Sequence, residues 1–259
     1  MNQKQINQAV KRAIKTGNWM IRVERKDGYS PTCNFKWKPV GEWTEALDWN
    51  PKPICIGGLY GQAFEAGGYK PLGGDIVVFC ETAGERVIVN GNKIKVPKAR
   101  RLLVGQLPKG LILNASLDLS YCNLTNIILP QIINDNLYLT GPVLKNTVLP
   151  TYVGGALRMS YCDIRKIKLP KYIGSSVYLN KAIVGEIKFQ PELYGSLFME
   201  GCNLKRVILP QKVHECLHLD TCDLKDTTLP EIVEGSLILR GCKNVDIPES
   251  CTYRDRIIY

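Results

Sequence analysis

The sequence predicts a mainly β protein in which a small α+β domain precedes a right-handed parallel β-solenoid of about seven coils. Apolar residues recur at a fixed interval, about 20 residues long as in other short solenoid repeats, over 107–248. Within each repeat they alternate every second residue, which is typical of strands with one buried face. Residues 1–106 lack the repeat and show separate helix and strand patterns. We therefore divide the chain into an N-terminal domain, 1–106, and a solenoid, 107–259.

The N-terminal domain begins with a basic amphipathic helix over residues 3–16. Ile6, Val10 and Ala13 recur at helical spacing, and Gly17 is placed to end the helix. Four later segments alternate or are continuously apolar, as strands are. They are "WMIRVE", "CNFKWK", "DIVVFCE" and the hairpin "RVIVNGNKIKV", in which Asn90–Gly91 suits a type I′ turn. One helix combined with these strands predicts an α+β fold.

The repeats carry two short strands each, and a leucine–proline pair separates the strands in most of them. Proline stops a strand, and short polar residues then turn the chain. One coil could not be stable alone, because its inward side chains contribute roughly 2 kcal/mol each against an ordering cost of about 1–2 kcal/mol per residue. We therefore expect coils to stack about 4.8 Å apart around one core. The pairs are Leu129–Pro130, Leu149–Pro150, Leu169–Pro170, Leu209–Pro210 and Leu229–Pro230, with a slip at Phe189–Gln190–Pro191.

The repeat motif carries a family resemblance. "LxLxxCxL", as in Leu217–Leu224, is similar to the core of leucine-rich repeats, and the longer phrase over Cys202–Cys222 looks like the short Leu-Pro repeats of phage and prophage leucine-rich-repeat-like proteins. This resemblance implies a leucine-rich-repeat-like solenoid and a phage or prophage origin. It also implies action on a bacterial host or defence protein. The last repeat is shortened, and we interpret the "TYRDRIIY" that ends the sequence as a C-terminal cap over the open end.

The N-terminal domain carries a fainter resemblance through "PICIGGLYG" and "VIVNGNKIKVPKARRL". These segments resemble a small domain that precedes such repeats in some phage proteins and, remotely, ADP-ribosyltransferase-like folds. The resemblance implies an enzyme in this domain as one alternative. Tyr60, however, stands where relatives carry a histidine, and residues 1–106 contain no histidine. We therefore expect no enzymatic activity, no catalytic residue and no cofactor.

Charge and cysteine usage narrow the class of protein further. Lys and Arg outnumber Asp and Glu by 34 to 24, and the excess belongs to residues 1–106. The chain begins without a signal-peptide core, and no segment reaches the roughly 18 apolar residues of a membrane span. We expect a soluble protein of the cytoplasm, the bacterial host's if phage-encoded, with no membrane contact. The 10 cysteines form no CxxC pair, so we expect reduced thiols and no metal.

The outward positions of the first strand in each repeat predict a protein-binding strip. Solenoids expose one long face and commonly use it for binding. Aromatic side chains and arginine amid polar neighbours are typical of protein interfaces. We therefore expect another protein as the partner, bound by Tyr138, Arg158, Tyr178, Phe198 and His218.

A basic patch on the N-terminal domain predicts an alternative function. Basic residues interleaved with tryptophan and tyrosine can hold nucleic acid through phosphate contacts and base stacking. The alternative partner is therefore a nucleic acid, with the solenoid as a spacer. The proposed patch contains Lys11, Arg12, Lys15, Lys93, Lys95, Lys98, Arg100 and Arg101.

Cysteines and histidines in the solenoid form the most reactive constellations of the sequence. Cys202, Cys222 and Cys242 occupy the same position in successive repeats, so they would stack near enough for a metal or a disulfide. Because Ala182 occupies the same column, we favour a small side chain fitting a tight corner. His214 and His218 could perform acid–base work. We favour surface positions for both, since the rest of their repeat follows the structural pattern.

Overall fold

The computed structural model describes residues 1–31, 35–69, 74–249 and 251–259. It confirms the mainly β fold, with one helix and 25 strands in these ranges. An N-terminal helix and small sheets precede a parallel β-solenoid of about seven coils. Cys33 and Asn34 of the expected strand "CNFKWK" lie outside the described residues, and Lys36 forms only an isolated bridge with Tyr29.

The N-terminal domain consists of one helix and two antiparallel sheets. The helix begins with a capping box between Asn2 and Gln5 and ends at Gly17, whose φ of 72° is the left-handed conformation expected of a C-cap. The sheet orders are β1-β4-β7-β2 and β3-β6-β5. The elements are α1 Gln3–Thr16, β1 Trp19–Glu24, β2 Trp43–Glu45, β3 Leu59–Gly61, β4 Ile76–Ala83, β5 Val87–Val89, β6 Lys93–Val96 and β7 Lys98–Val104.

The four-stranded sheet of this domain is buried on both faces. Side chains alternate along β1, so Ile21 faces a core shared with α1 and the solenoid, whereas Met20 faces the second sheet. Val77 and Val78 divide in the same way on β4. The sheet therefore separates a small local core from the main core of the molecule.

The solenoid strands are short and form parallel ladders in which each residue pairs with its equivalent in the next repeat. The first strand of each coil joins an eight-stranded sheet, β9-β11-β13-β15-β18-β21-β23-β25. The second side holds two four-stranded sheets, β8-β10-β12-β14 and β17-β20-β22-β24, and the third side holds the pair β16-β19. Their bounds are β8 Ile112–Leu113, β9 Leu117–Asp118, β10 Ile132–Ile133, β11 Leu137–Tyr138, β12 Tyr152–Val153, β13 Leu157–Arg158, β14 Tyr172–Ile173, β15 Val177–Tyr178, β16 Ile187–Lys188, β17 Glu192–Leu193, β18 Leu197–Phe198, β19 Val207–Ile208, β20 Lys212–Val213, β21 Leu217–His218, β22 Ile232–Val233, β23 Leu237–Ile238, β24 Thr252–Tyr253 and β25 Ile257–Ile258.

A leucine spine fills the interior of the rod. Leu137 pairs with Leu157, which pairs with Val177, and all three side chains are fully buried. One hydrophobic core runs without a break from Ala9 in α1 to Cys251. Sharing side-chain contacts with the coils above and below gives each coil the apolar burial that it lacks alone.

The slip at Phe189–Gln190–Pro191 interrupts the second side of the rod. The sheet that contains β14 ends there, and the sheet that begins with β17 continues beyond it. The Gln190 side chain accepts from the Ile173 amide at 3.2 Å and donates to the Ile173 carbonyl at 3.1 Å. Its amide group thus satisfies backbone groups that a neighbouring strand would otherwise pair.

The N-terminal domain covers the first coil. The Gln62 side chain donates to the Asp118 carbonyl and accepts from the Asp118 amide, both at 2.9 Å. The Asn114 amide donates to the Phe64 carbonyl at 2.9 Å, and the Asn123 amide donates to the Asp75 carbonyl at 2.8 Å. Edge groups of the first coil are therefore paired with the N-terminal domain.

The segment interpreted as a C-terminal cap continues the ladder as a short further coil at the end of the rod. β24 pairs with β22, and β25 pairs with β23, so the parallel register of the preceding coils is kept. The physical reason is that its apolar residues fall on the columns of the preceding coil, so the ladder simply continues. Within the described ranges, no helix combines the length and apolarity needed to cross a membrane.

We predict that Leu157→Ala destabilises the protein by about 2–5 kcal/mol, because it removes buried methyl groups from the centre of the spine and leaves a cavity. Urea unfolding followed by circular dichroism measures the change. Val148→Ala is the matched control, since Val148 is 52% exposed and its truncation should cost less than about 0.5 kcal/mol. Equal losses in the two variants would contradict a shared leucine spine.

Candidate functional site

The predicted strip, which consists of Tyr138, Arg158, Tyr178, Phe198 and His218, occupies adjacent strands of the eight-stranded sheet. Tyr138 pairs with Arg158, Tyr178 with Phe198, and Phe198 with His218. Arg158 is exposed and the other four residues are half-buried. The structure therefore brings all five predicted residues into one continuous column on the outer face.

The side chains of the strip stack on one another along the rod. The Arg158 guanidinium lies 4.0 Å from the Tyr178 ring centre and 5.8 Å from that of Tyr138. The Tyr178 and Phe198 rings are 4.5 Å apart and inclined by 5°, and the Phe198 and His218 rings are 4.3 Å apart. Because the ring faces cover one another, the strip presents ring edges and polar tips to solvent.

The two ends and the flank of the strip are defined by neighbouring contacts. Asp118, next in the column before Tyr138, is held by Gln62, and Ile238, next after His218, is only 8% exposed. Burial lowers the pKa of His218, so the fold favours a neutral imidazole. Beside the strip, the Asn180 side chain accepts a hydrogen bond from the Glu200 backbone amide at 3.1 Å. This polar side chain on the flank of the strip therefore holds the backbone of the next coil.

A second aromatic column, which the sequence analysis missed, lies on another side of the rod. We call Tyr152, Tyr172, Tyr194 and His214 the tyrosine stripe. Tyr152 and Tyr172 stack at 4.8 Å, and Tyr194 and His214 stack at 5.3 Å. The two residues of each pair are one repeat apart in the sequence, and this spacing could have revealed the stripe. The slip at Phe189–Gln190–Pro191 shifts the second pair relative to the first, so the four residues do not fall in one column of the sequence repeat.

His214 and His218 therefore belong to different faces. His214 lies between Glu192, at 3.3 Å from Nε2, and Glu234, at 3.1 Å from Nδ1. Lys212 pairs with Glu234 at 2.8 Å, and its hydrogen bond is the main reason why the pKa of that carboxyl is lowered. His214 thus lies in a charged surface cluster and His218 in the ring stack, an arrangement that does not join them in one acid–base pair.

Two members of the predicted basic patch lie inside the N-terminal domain, which corrects that expectation. Lys95 is fully buried, and its Nζ donates to the carbonyls of Ile54 at 3.0 Å and Ile56 at 2.9 Å. Lys93 is 7% exposed, with Nζ 3.7 Å from the Tyr69 ring centre. Alternation along β6 did not predict this burial, because the four-stranded sheet covers one face of β6 and the 54–58 segment covers the other.

Most of the remaining predicted patch is neutralised by ion pairs. Arg12 and Arg100 both contact Glu81, at 2.7 and 2.6 Å, and Arg101 contacts Glu24 at 3.0 Å. Lys98 contacts Glu45 at 2.7 Å. Lys11 and Lys15 are exposed on α1. The eight residues therefore do not form one continuous cationic surface.

A cavity of about 380 Å³ lies in the N-terminal domain between β1, β3 and the Trp37 side chain. The Arg22 guanidinium covers the Trp37 ring at 3.7 Å and pairs with the buried Glu24 at 3.2 Å. Burial raises the pKa of Glu24, and the nearby arginines offset part of that rise. Tyr60 also lines the cavity, and burial raises its pKa to about 12, so its hydroxyl stays protonated.

The cysteine column has a structural role in the described residues. The thiols of Cys162, Cys202 and Cys222 donate to carbonyl oxygens of the preceding coil, at 2.9, 3.0 and 3.2 Å. Cys162, Cys202 and Cys222 are free thiols, and Cys33 lies outside the described ranges. No group of three or more potential metal ligands is found among the residues that the structure describes. At these three corners, the thiol therefore fills a small space and donates a hydrogen bond to the backbone of the preceding coil.

We predict that iodoacetamide at about pH 8 modifies Cys55 at least tenfold faster than Cys162, Cys202 and Cys222. Cys55 is exposed, whereas burial raises the pKa of the other three to about 11, 11 and 12, so thiolate is scarce there. Peptide mass spectrometry measures each rate, and urea-unfolded protein is the control in which the rates converge. Fast native modification of Cys202 would contradict the buried column.

Comparisons of the chain with protein-family models, curated proteins and solved structures return no match. The likeness to phage and prophage leucine-rich-repeat-like proteins therefore stays an interpretation of the sequence motif. The architecture itself, a parallel β-solenoid behind a small α+β domain, follows from the strand pairing. Its candidate sites are the strip, the tyrosine stripe and the cavity.

Proposed function

We propose that this protein is a non-enzymatic binding module that recognises another protein through the strip. The observation that carries the proposal is the unbroken stack from Tyr138 to His218 on the outer face of the sheet. Following the sequence resemblance, the partner is a bacterial host or defence protein, and the protein is phage-encoded and acts in the bacterial cytoplasm.

The chemistry of the strip supports protein recognition. Tyrosine and arginine are enriched at the energetic centres of interfaces, where an apolar body and a polar tip act together. The stack holds Tyr178 and Phe198 in place, so little side-chain entropy is lost on binding. Four intervals of about 4.8 Å make the strip about 19 Å long, which suits an extended segment or a sheet edge of the partner.

The N-terminal domain contributes to this function by supporting the rod. It pairs edge groups of the first coil through Gln62, and a paired edge protects a sheet against unspecific strand addition. Lys11 and Lys15 remain exposed and are available for contacts with an acidic partner. Partner binding at the strip and rigidity from the N-terminal domain are therefore parts of one proposal.

The cavity supports a second candidate function, the ADP-ribosyltransferase-like activity that the sequence resemblance implies. A volume of about 380 Å³ lies within the usual range of small-molecule sites. The cavity also contains aromatic rings and two cationic side chains, Arg22 and Lys93. Against catalysis, the protonated hydroxyl of Tyr60 can donate a hydrogen bond but cannot serve as a general base near neutral pH.

We predict that the double variant Tyr178→Ser/Phe198→Ser loses the partner captured by the full-length protein from bacterial lysate. Removing two stacked rings should reduce the recovered partner at least tenfold, as measured by quantitative mass spectrometry. Tyr152→Ser/Tyr172→Ser is the matched control, because it removes a stacked ring pair of similar spacing from the tyrosine stripe. Retention by the strip variant with loss by the control would assign binding to the stripe.

We predict that the full-length protein neither transfers ADP-ribose from labelled NAD nor hydrolyses it. Incorporation of label into bacterial proteins and release of nicotinamide are the two measurements. Arg22→Ala is the control, since it removes a cation from the cavity wall. Turnover in the unmodified protein that disappears in the Arg22 variant would replace the binding-module proposal with the enzymatic one.

A further inference from the structure

The third side of the solenoid, between the cysteine corner and the Leu-Pro pair, carries an excess of positive charge. In four consecutive coils this side comprises residues 143–148, 163–168, 183–188 and 203–208. We call it the cationic face. The only acidic residues in these segments are Asp163 and Glu186. Seven basic side chains, all exposed, lie in the same segments: Lys145, Arg165, Lys166, Lys168, Lys188, Lys205 and Arg206.

Most charges of this face have no ionic partner. Arg165 pairs with Asp163 on the same face, and within the described part of the chain the other six basic groups have no carboxylate within 4.0 Å. In the N-terminal domain, by comparison, Glu24, Glu45 and Glu81 pair with Arg101, Lys98 and Arg100 of the predicted patch. The cationic face is therefore a largely unneutralised positive surface outside residues 1–106, where the sequence count placed the charge excess.

The register of the coils arranges these charges in rows. Lys188 pairs with Ile208 across β16 and β19, and Asp163 bridges to Ile183, so successive coils are aligned on this side as on the others. Lys145, Arg165 and Lys205 lie in one column. Lys168 and Lys188 lie in a second column, which is three positions later in each repeat. Neighbouring positions in a column are about 4.8 Å apart, where like charges repel. A polyanion that bridges the rows relieves this repulsion.

The remaining surface of the cationic face is flat and aliphatic. Val143, Val148, Ile183 and Ile208 are each 52–58% exposed, and the four segments contain no aromatic residue. Single-stranded nucleic acids are held by aromatic platforms on which bases stack, so a single strand does not fit this face. Among the residues that the structure describes, no helix or ribbon projects from this face, as entry into a major groove would require.

We propose that the cationic face binds the phosphate backbone of double-stranded DNA without reading its sequence. The two cation columns are at most about 10 Å apart at the backbone, and lysine side chains extend beyond it. They can reach phosphates on both sides of a B-form minor groove, which is about 6 Å wide, whereas the A-form minor groove of RNA is wide and shallow. This site is separate from the strip and does not depend on it.

Fluorescence anisotropy with a labelled DNA duplex of about 20 base pairs tests the proposal on the full-length protein. We expect Lys168→Gln/Lys188→Gln to weaken binding about tenfold near 100 mM KCl. Each lost phosphate contact should also reduce the slope of log K against log salt by about 0.9. Lys4→Gln/Lys52→Gln is the matched control, since it removes the same charge from exposed positions of the N-terminal domain, and we expect less than a twofold change.

Further variants and ligands in the same experiment distinguish duplex DNA from other possible partners and test whether the variants fold. Lys145→Gln/Lys205→Gln should repeat the loss from the other column, and unchanged circular dichroism melting of every lysine variant shows that the fold is retained. Tyr178→Ser/Phe198→Ser should bind the duplex normally. Equal weakening by the Lys4/Lys52 control, tighter binding of an RNA duplex or single strand, or binding only to phosphatidylserine vesicles or polyglutamate would each overturn the proposal.

Discussion

The constraint on which the structure depends is the repetition of the same backbone hydrogen bonds from each repeat to the next. Once Leu137 is paired with Leu157, every residue of one coil lies against its equivalent in the next, inside and outside the rod. Inside, this produces the leucine spine and the row of thiol-to-carbonyl bonds. Outside, it produces stacked rings on two sides and rows of cations on the third. The residue types at equivalent positions of successive repeats therefore determine the chemistry of each row on the surface of the rod.

Stacking changes what an exposed aromatic residue can do. The faces of Tyr178 and Phe198 are already occupied by each other, so these rings stabilise the ladder as well as forming a surface. An offset or parallel pair contributes about 0.5–1.5 kcal/mol beyond area burial, and that contribution is present without any partner. What remains for recognition is the row of edges, hydroxyls and the Arg158 guanidinium. Such a row favours a partner that supplies both apolar contact and hydrogen-bonding groups, as a protein segment does.

The sequence predicted the solenoid because the repeat period and the strand alternation agree in every coil, and it predicted the strip because outward positions follow from that alternation. It could not predict the pairing of charges across the fold. Glu24 and Glu81 are far from Arg101 and Arg12 in sequence; the strand order of the sheet brings Arg101 to Glu24, and the packing of α1 on the sheet brings Arg12 to Glu81. A count over residues 1–106 thus suggested one basic patch where Arg12, Lys98, Arg100 and Arg101 are in fact ion-paired. Near balance over the repeats concealed an uneven distribution of charge around the rod.

Two glutamines show how the ladder tolerates its interruptions, and they bear on where the molecule can be divided. A glutamine amide has one donor and one acceptor side, like a peptide group, so it can pair with both backbone groups of an edge residue. Gln190 does so for Ile173 at the slip, and Gln62 does so for Asp118 at the first coil. Together with the core that extends from Ala9 through the spine, the Gln62 contact makes the N-terminal domain part of the rod. Cutting at 106/107 would expose a sheet edge and an apolar core, so functions of the two parts are separable by point substitutions in the full chain and not by truncation.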